Sequence, residues 1–397
     1  MASIRERISK DGKVSYQIRV YRGKGIKPFN TNWTPQDGWT KKKIEKELNK
    51  FVAQFENDCK HGLVVTEKKT FGEYASYVID LKESSGNIKA RTADRYRSFV
   101  DRINDVDCNG FGYMKLEDIR ADHLNRFYQT LSKAGMNKND STGKKGLSAK
   151  TIREHHRLVS MVFAQAFKEN LVTINIAERA TPPKVQRHEA EHYELSLIRD
   201  ILEALESEDL KWNCLMNVMI ASGARLGEVM GLRWGCVDFE NSRILIKNNL
   251  QYLPSKGVYE TSTKTGEERY IPLGNPTMNL LREWKAQQAD ISGKIVINGF
   301  CFTKDDGIEP MHPQSVKCFL DRFSKRHGFP HLHAHAFRHT QATLLIASGT
   351  DIVSVAKRLG HKETTTTMNI YAHAIAESER NTANTINSLL YGKEKVQ

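Results

Sequence analysis

The sequence of 397 residues lacks the features of membrane, secreted and zinc-binding proteins. No uninterrupted apolar run approaches the roughly 20 residues that a membrane-spanning helix needs. The first residues, MASIRERISKDGK, contain no apolar segment like that of a signal peptide, so we expect a cytoplasmic protein. The cysteines are Cys59, Cys108, Cys214, Cys236, Cys301 and Cys318. Because they are scattered and form no C-x-x-C pair, a disulfide framework and a zinc module are both disfavoured.

Acidic residues are also in deficit, with 47 Asp and Glu against 60 Lys and Arg and a formal net charge of +13. An excess of this size favours polyanionic partners, either nucleic acid or an anionic membrane surface. A basic protein that is merely soluble is the alternative. The sequence has no internal repeat and no low-complexity tract, and its length allows two or three domains.

Residues 1–67 are predicted to form a small basic domain of three short strands and one helix. Val14–Val20 alternates apolar and polar residues, as in a half-buried strand, and residues 1–69 carry 16 Lys and Arg against 8 Asp and Glu. Its sheet would present Arg19, Tyr21, Arg22 and Lys24 outward. A basic and aromatic sheet face can lie in a DNA groove, although a solvated face fits these residues equally well.

Residues 70–180 are predicted to be helical. Apolar residues recur at helical spacing from Phe71, Thr92 and Arg120, and Ser148 is placed to cap a fourth helix. Around the start of that fourth helix lies a basic stripe of Lys144, Lys145, Lys150, Arg153 and Arg157. With the net charge in mind, we interpret the stripe as a phosphate-contacting surface and not as a solvated face.

Residues 181–194, with two prolines, are predicted to be a linker, and residues 195–397 a mixed domain. Helical patterns are interrupted by three strand-like pieces at 243–247, 251–253 and 269–273. We expect TSTKTGEER to join two of these strands as a β-hairpin, with Lys264 at its tip. The predicted fold class is therefore multidomain and mainly α, with α+β parts.

Several cationic and titratable residues in the mixed domain indicate a phosphate site. Arg225 lies between two apolar helices, where a half-hidden guanidinium needs an anion, either a phosphate or the nearby Glu228. His335 and Arg338 are three residues apart, on one face if they belong to a helix. His361 follows a Leu-Gly pair that ends a helix, and a tyrosine stands ten residues later.

Some of these residues allow other interpretations. His335 with His331, His333 and His339 suggests zinc, but no cysteine or acidic partner accompanies them. Tyr391 is an alternative to Tyr371 as a late nucleophile, and Lys247, Lys256 and Arg269 are alternatives to Lys264.

Five motifs together resemble the tyrosine recombinases, or phage-type integrases. The sequence contains SGARLGE, TKTGEERYIPL, HAFRHT, LGH and YAH in the family's order. The layout is most similar to integrases of Gram-positive conjugative transposons. The resemblance implies an arm-type DNA-binding domain at 1–67, a helical SAM-like core-binding domain at 70–180, a linker at 181–194 and a catalytic domain at 195–397.

The resemblance also implies a mechanism and a set of site residues. The implied catalytic residues are Arg225, Lys264, His335, Arg338, His361 and Tyr371. Two arginines would hold the phosphodiester, Tyr371 would attack it to give a 3′-phosphotyrosine, and Lys264 would protonate the leaving oxygen. No metal and no ATP would be required, since the energy of the bond is kept in the protein–DNA ester.

The implied partners are double-stranded DNA, three further copies of the chain at a Holliday junction, an excisionase and host DNA-bending proteins. The amphipathic segment Ala374–Gln397 could pack on its own domain, whereas the resemblance implies that it docks on a neighbouring copy. The free protein would be a monomer. A type IB topoisomerase and a non-catalytic DNA-binding protein are the alternatives. A metal-dependent transposase is disfavoured because no acidic triad is recognisable.

Overall fold

The computed structural model describes residues 2–9, 12–21, 28–60, 69–137, 140, 142–186, 191–263, 266–293, 298–370 and 390. The chain divides into two compact units, Met1–Gln186 and Arg187–Gln397. Among the described residues, no helix is long and apolar enough to span a bilayer.

The first unit begins with a small antiparallel sheet that packs against one helix. The elements are β1 (Ala2–Ile8), β2 (Val14–Val20), β3 (Phe29–Trp33) and α1 (Lys41–Lys60). The strand order is β1-β2-β3, so β2 is central. Ile18 of β2 is fully buried and belongs to one core with Leu48 and Phe55 of α1. The predicted three strands and helix are confirmed.

The rest of the first unit is helical, with α2 (Phe71–Ser84), α3 (Ala90–Asn104), α4 (Ala121–Leu131) and α5 (Ala149–Lys168). Thr70 and Glu73 form a capping box at α2, and the Ser148 hydroxyl caps α5 by accepting from the Thr151 amide at 3.2 Å. Phe71, Phe111, Phe127 and Phe163 are among the largest fully buried side chains. Burying each such ring stabilises the fold by about 1.5–3 kcal/mol.

The second unit is mixed and has one main core. Its first elements are α6 (Leu195–Leu205), α7 (Leu210–Ser222), α8 (Leu226–Met230), β4 (Val237–Asp238), β5 (Arg243–Ile246), β6 (Asn248–Leu253), β7 (Gly257–Ser262) and β8 (Arg269–Pro272). Five helices follow: α9 (Asn275–Ser292), α10 (Gln314–His327), α11 (Ala334–Ala347), α12 (Ile352–Leu359) and α13 (Thr364–Ile370). The mainly helical fold class with small sheets is confirmed.

The predicted hairpin around TSTKTGEER is wrong. β7 was not predicted, and it pairs with β6, whereas β8 pairs with β5 in a separate sheet. The segment therefore connects two sheets. The side chains of β7 are at most half-buried and give no apolar alternation, while Ile271 of β8 lies opposite Ile244 in the core. Burial of that pair fixes the register of β8.

Candidate active site

The residues of the candidate site surround the C-terminal end of α12. Asp351 caps the start of this helix by accepting from the Ser354 amide at 3.0 Å, and Gly360 ends it in the left-handed conformation, with φ of +68°. The last carbonyls of a helix have no partner within it and carry partial negative charge. This end can therefore bind cations.

Three arginines from three other elements donate to successive carbonyl oxygens at this end. The bonds run from Arg269 Nε to Arg358 (2.8 Å), from Arg338 Nη2 to Leu359 (2.8 Å) and from Arg225 Nη2 to Gly360 (3.3 Å). The arrangement brings two of the predicted catalytic arginines together, Arg225 and Arg338. It also brings in Arg269, which the sequence suggested only as an alternative to Lys264.

Glu228 is the buried carboxylate of this cluster. Its Oε1 accepts from Arg225 Nη1 at 2.7 Å, and its Oε2 accepts from the Arg225 amide at 3.0 Å and from Arg269 Nη2 at 2.6 Å. Burial alone would raise the pKa of Glu228, but the hydrogen bond and charge of Arg269, together with Arg225, hold its pKa below the usual value. The carboxylate is therefore ionised and orients both guanidinium groups.

Arg338 and His361 form the second half of the cluster. Arg338 is 2% exposed, donates through Nη1 to Gly223 O at 2.9 Å and lies 2.9 Å from His361 Nε2. Since a guanidinium can only donate, Nε2 is the unprotonated nitrogen of the ring. Nδ1 then carries the proton and donates it to Thr367 Oγ1 at 2.7 Å.

The electrostatics keep His361 neutral. Burial, followed by the charge of Arg338 and then that of Arg225, lowers the pKa of His361 to about 4. His335 is exposed on α11, three residues before Arg338, and its ring lies edge-on to His339 at 4.5 Å between centroids. Burial likewise lowers the pKa of His339 to about 4, with the charge of His335 adding to it.

Two of the predicted catalytic residues, Lys264 and Tyr371, lie outside the described residues. The chain next to Tyr371 is nevertheless tied to the cluster, because α13 ends at Ile370 and its Thr367 accepts the hydrogen bond from His361. Within the described ranges, no group of three or more His, Cys, Asp or Glu is arranged to hold a metal ion.

Sequence reasoning missed the supporting residues Arg269, Arg358 and Thr367. Arg358 donates from Nη2 to the carbonyls of Ala221 (2.8 Å) and Pro272 (3.1 Å). Strand alternation could have indicated Arg269, because it shares a face of β8 with the fully buried Ile271. An arginine on a buried strand face needs a carboxylate.

The cluster has an excess of positive charge, with four guanidinium groups around one carboxylate. Beside it lies a cavity of about 260 Å³ whose lining includes Arg269, Lys357 and His361. Planar guanidinium groups bind phosphate oxygens with two parallel hydrogen bonds. Such a cluster can hold a phosphodiester and stabilise the negative charge that develops when its phosphorus is attacked.

The open face of the N-terminal sheet is a second cationic surface. Because Ile18 faces α1, alternation places Arg19 and the 60%-exposed Tyr21 on the other side. The register puts Ser3 beside Arg19, and Arg5 and Arg7 follow at two-residue steps on the same face. Arg5 and Arg7 were not predicted as site residues. Arg22 and Lys24, which were, lie outside the described residues.

The predicted basic stripe lies at the start of α5 and in the segment before it. All five side chains are exposed: Lys144, Lys145, Lys150, Arg153 and Arg157. The turn before the helix is held by Asp140, whose Oδ2 accepts from the Lys145 amide at 2.8 Å. His155, on the inner side of α5, is buried, and its ring stacks on that of Phe99 with 3.9 Å between the centroids. The stripe is therefore the solvent-facing side of a helix anchored in the core.

The chain thus combines a helical region with a mixed unit that carries a cluster of arginines around a buried carboxylate. The model of the phage integrase family matches residues 188–378, and that of the phage integrase SAM-like domain matches residues 70–181. The chain belongs to the phage integrase family of tyrosine recombinases. It is a tyrosine-type site-specific recombinase, as the sequence predicted.

One related protein aligns with nearly the whole chain, and another aligns with somewhat less than two thirds of it. A tyrosine recombinase XerC-like protein of Caldanaerobacter subterraneus is 26% identical over 408 aligned positions, covering 96% of this chain and 97% of its own. The ICEBs1 integrase of Bacillus subtilis is 22% identical and covers 62% of this chain and 67% of its own.

Solved structures share the fold. The Tn1549 transposon integrase in complex with a circular intermediate DNA has a TM-score of 0.65 at 20% identity, covering 78% of this chain and 99% of that one. A lambda integrase dimer bound to a COC′ core site has a TM-score of 0.58 at 17% identity, covering 94% of this chain and 95% of that one.

Proposed function

We propose that this recombinase is the integrase of a mobile genetic element, and that it joins and excises double-stranded DNA through a 3′-phosphotyrosine intermediate and a Holliday junction. The observation that carries the proposal is the set of three arginines on the end of α12 beside His361. The names of the ICEBs1 and Tn1549 integrases support the mobile element as substrate.

In the proposed reaction, Arg225 and Arg338 hold the non-bridging oxygens of the scissile phosphate. A guanidinium has five N–H donors, and the bonds of Arg225 to Glu228 and Gly360 use two of them. The pentacoordinate state places more negative charge on these oxygens than the ground state does. Donors that are already oriented therefore bind the transition state more strongly.

His361 changes protonation state in this proposal. In the described structure its Nε2 accepts from Arg338 and its proton is on Nδ1, so the neutral ring has no N–H directed to a phosphate. An arriving phosphate brings negative charge, which raises the pKa of His361. Nε2 then takes up a proton from solvent, gives up the hydrogen bond that it accepted from Arg338, and donates a hydrogen bond to a phosphate oxygen.

The remaining roles belong to Tyr371, His335 and Lys264. The Tyr371 hydroxyl oxygen forms a bond to phosphorus while its proton passes to His335, and the bond from phosphorus to the 5′ oxygen breaks. Lys264 gives a proton to that leaving oxygen. The ordinary pKa of tyrosine is about 10, so the surrounding cations are what make the phenol reactive.

The other domains supply the grip on DNA. We assign residues 1–67 as an arm-type domain that uses its open sheet face, and residues 70–180 as a core-binding domain that uses the basic stripe on α5. Residues 181–194 then link them to a catalytic domain at 195–397. Four copies would assemble on DNA, with an excisionase and host DNA-bending proteins setting the direction of the reaction.

A nicked suicide substrate tests the chemistry. We expect wild-type protein to form a covalent adduct with labelled DNA on a denaturing gel, with or without a chelator of magnesium. The Tyr371→Phe variant should form none, whereas the matched Tyr391→Phe variant should form it normally. An adduct with Tyr371→Phe, or its loss on chelation, would contradict the mechanism. DNA relaxation without strand exchange between two recombination sites would favour a topoisomerase instead.

A further inference from the structure

Arg269 has no role in the reaction proposed above, yet it is hydrogen-bonded to two parts of the site. It is the first residue of β8, and its side chain is 9% exposed. Its Nη2 donates to Glu228 Oε2 at 2.6 Å and its Nε donates to Arg358 O at 2.8 Å. A buried cation is thus used to hold other parts of the site.

Each of its contacts reaches a different motif. Through Glu228, Arg269 is connected to Arg225, which the same carboxylate binds at both its guanidinium and its amide. Through Arg358 O, it holds the end of α12, which leads directly into His361. The guanidinium also lies against the α-carbon of Gly360, since an added Cβ there would be 2.7 Å from Nη1.

Arg269 also stands at the end of the segment that carries Lys264. That segment connects β7 to β8, so its only covalent attachment on this side is the residue that begins β8. The pairing of Arg269 with Ile246 fixes this attachment point in the sheet. Arg269 therefore belongs to the motif that carries Lys264, and its side chain bonds both to the motif of Arg225 and to the helix end before His361.

We propose that Arg269 is a positioning residue for strand cleavage, which sets Arg225, His361 and the Lys264 segment relative to one another without itself touching DNA. This rests on the proposed function, since it presupposes that these groups act on one phosphate. Removing Arg269 would leave the buried Glu228 with one cation less and the α12 end with one donor less. Small displacements of groups that must meet at one phosphorus can lower a rate about 100-fold.

The test compares Arg269→Gln with Arg243→Gln, a matched control. Arg243 begins the adjacent strand β5, bonds to Asp238 at 2.8 Å and lies over the ring of Tyr270, but its side chain bonds to neither Glu228 nor the end of α12. The measurements are the single-turnover cleavage rate on saturating suicide substrate and the Kd for DNA. We expect Arg269→Gln to cleave about 100-fold more slowly with Kd within about threefold of wild type. Arg243→Gln should match wild type in both.

Two further variants separate positioning from folding. Arg269→Lys keeps the charge but cannot donate to Glu228 and to Arg358 O in one fork, so it should restore the rate only partly. Because Arg269 acts through Glu228, combining Arg269→Gln with Glu228→Gln should slow cleavage by less than the product of the single effects. Full additivity, a wild-type rate for Arg269→Gln, or a rate loss equal to its loss of folded protein would overturn the proposal.

A measurement without DNA keeps this inference separate from the proposed function. In NMR titrations of the imidazole resonances, Arg269→Gln should raise the pKa of His361, because it removes a nearby positive charge and loosens the α12 end. Arg243→Gln should leave that titration unchanged. An unchanged titration in Arg269→Gln would overturn the inference even if wild type cleaves DNA. If wild type forms no adduct while the titration shifts, the proposed function fails, and what stands is only that Arg269 holds the end of α12 beside His361.

Discussion

At the scale of single residues, Gly360 is constrained twice. Its φ of +68° belongs to the region where a Cβ is unfavourable, and that Cβ would also meet the guanidinium of Arg269. Gly293 has φ of +61° at the end of α9, but among the described residues no neighbouring atom lies within 4 Å of a Cβ built there. The two glycines therefore separate backbone strain from contact with the site.

We expect Gly293→Ala to lower the free energy of unfolding by about 1–2 kcal/mol, the cost of left-handed backbone. Gly360→Ala should lower it by roughly a further 1–3 kcal/mol, because Arg269 must give up hydrogen bonds to a buried carboxylate. Chemical denaturation measures both variants, and cleavage should be slowed only in Gly360→Ala. Equal losses of stability in Gly293→Ala and Gly360→Ala would show that the Arg269 side chain moves away from the new methyl group without cost.

The buried His339 and the half-buried His361 make stability depend on pH. His339 and His361 have pKa values of about 4 in the folded state against an ordinary value of about 6.5. Above pH 6.5 both rings are neutral folded or unfolded, so their contribution is fully present. As pH falls from 6.5 towards 4, the unfolded chain binds protons that the folded chain does not, and stability is lost.

We therefore expect the melting temperature of the protein to fall between pH 7 and pH 5. His339→Gln should show a smaller fall, since it removes one of the suppressed protonations. The exposed His331, substituted in the same way, is the control for removing a histidine that is not buried. A parallel pH dependence in His339→Gln and wild type would be the contrary result.

At the scale of elements, the open face of the N-terminal sheet is the surface whose purpose is most readily tested. Substituting Arg5, Arg7 and Arg19 together with Ala should weaken binding to arm-type DNA. It should also make the slope of log K against log salt less negative by about 1 for each phosphate that the variant no longer neutralises. Binding assays at several salt concentrations measure both quantities.

The matched control removes the same charge from α1. Lys42, Lys46 and Lys50 are exposed and are spaced four residues apart on that helix. Their triple Ala variant should keep nearly the wild-type salt slope, because the sheet and not the helix would face the DNA. If the two triple variants weaken binding equally, the domain attracts DNA through its net charge alone.

The elements also indicate what a sequence can predict here. Helices with strong apolar periodicity and a cap, such as the one that Ser148 begins, were predicted from local signals. β7 was not, because it is a half-buried strand in a two-stranded sheet and lacks alternation. Its pairing with β6, and that of β8 with β5, depend on contacts between distant residues.

The same division applies to the site. Arg225, Arg338 and His361 stand in motifs that a resemblance makes visible, and the structure brings them together. Arg269 also stands in one of these motifs, but its bonds to Glu228 and to the end of α12 are evident only in the structure. A motif can therefore include an orienting residue such as Glu228 or Arg269 without indicating which contacts that residue makes.

At the scale of the whole molecule, net charge should govern assembly. Each chain carries +13, so free copies repel one another until DNA phosphates neutralise that charge. We expect a monomer in sedimentation velocity without DNA and a tetramer on a synthetic Holliday junction. A stable tetramer in the absence of DNA would contradict this prediction.

The three arginines at the end of α12 have a consequence for how this chain can change over time. Each residue of an α-helix advances the chain by about 100° of rotation. An insertion or deletion of one residue within α12 would therefore turn the three carbonyls away from all three guanidinium groups at once. Substitutions around this helix end can accumulate one at a time, whereas a change in the length of α12 would break all three hydrogen bonds in one step.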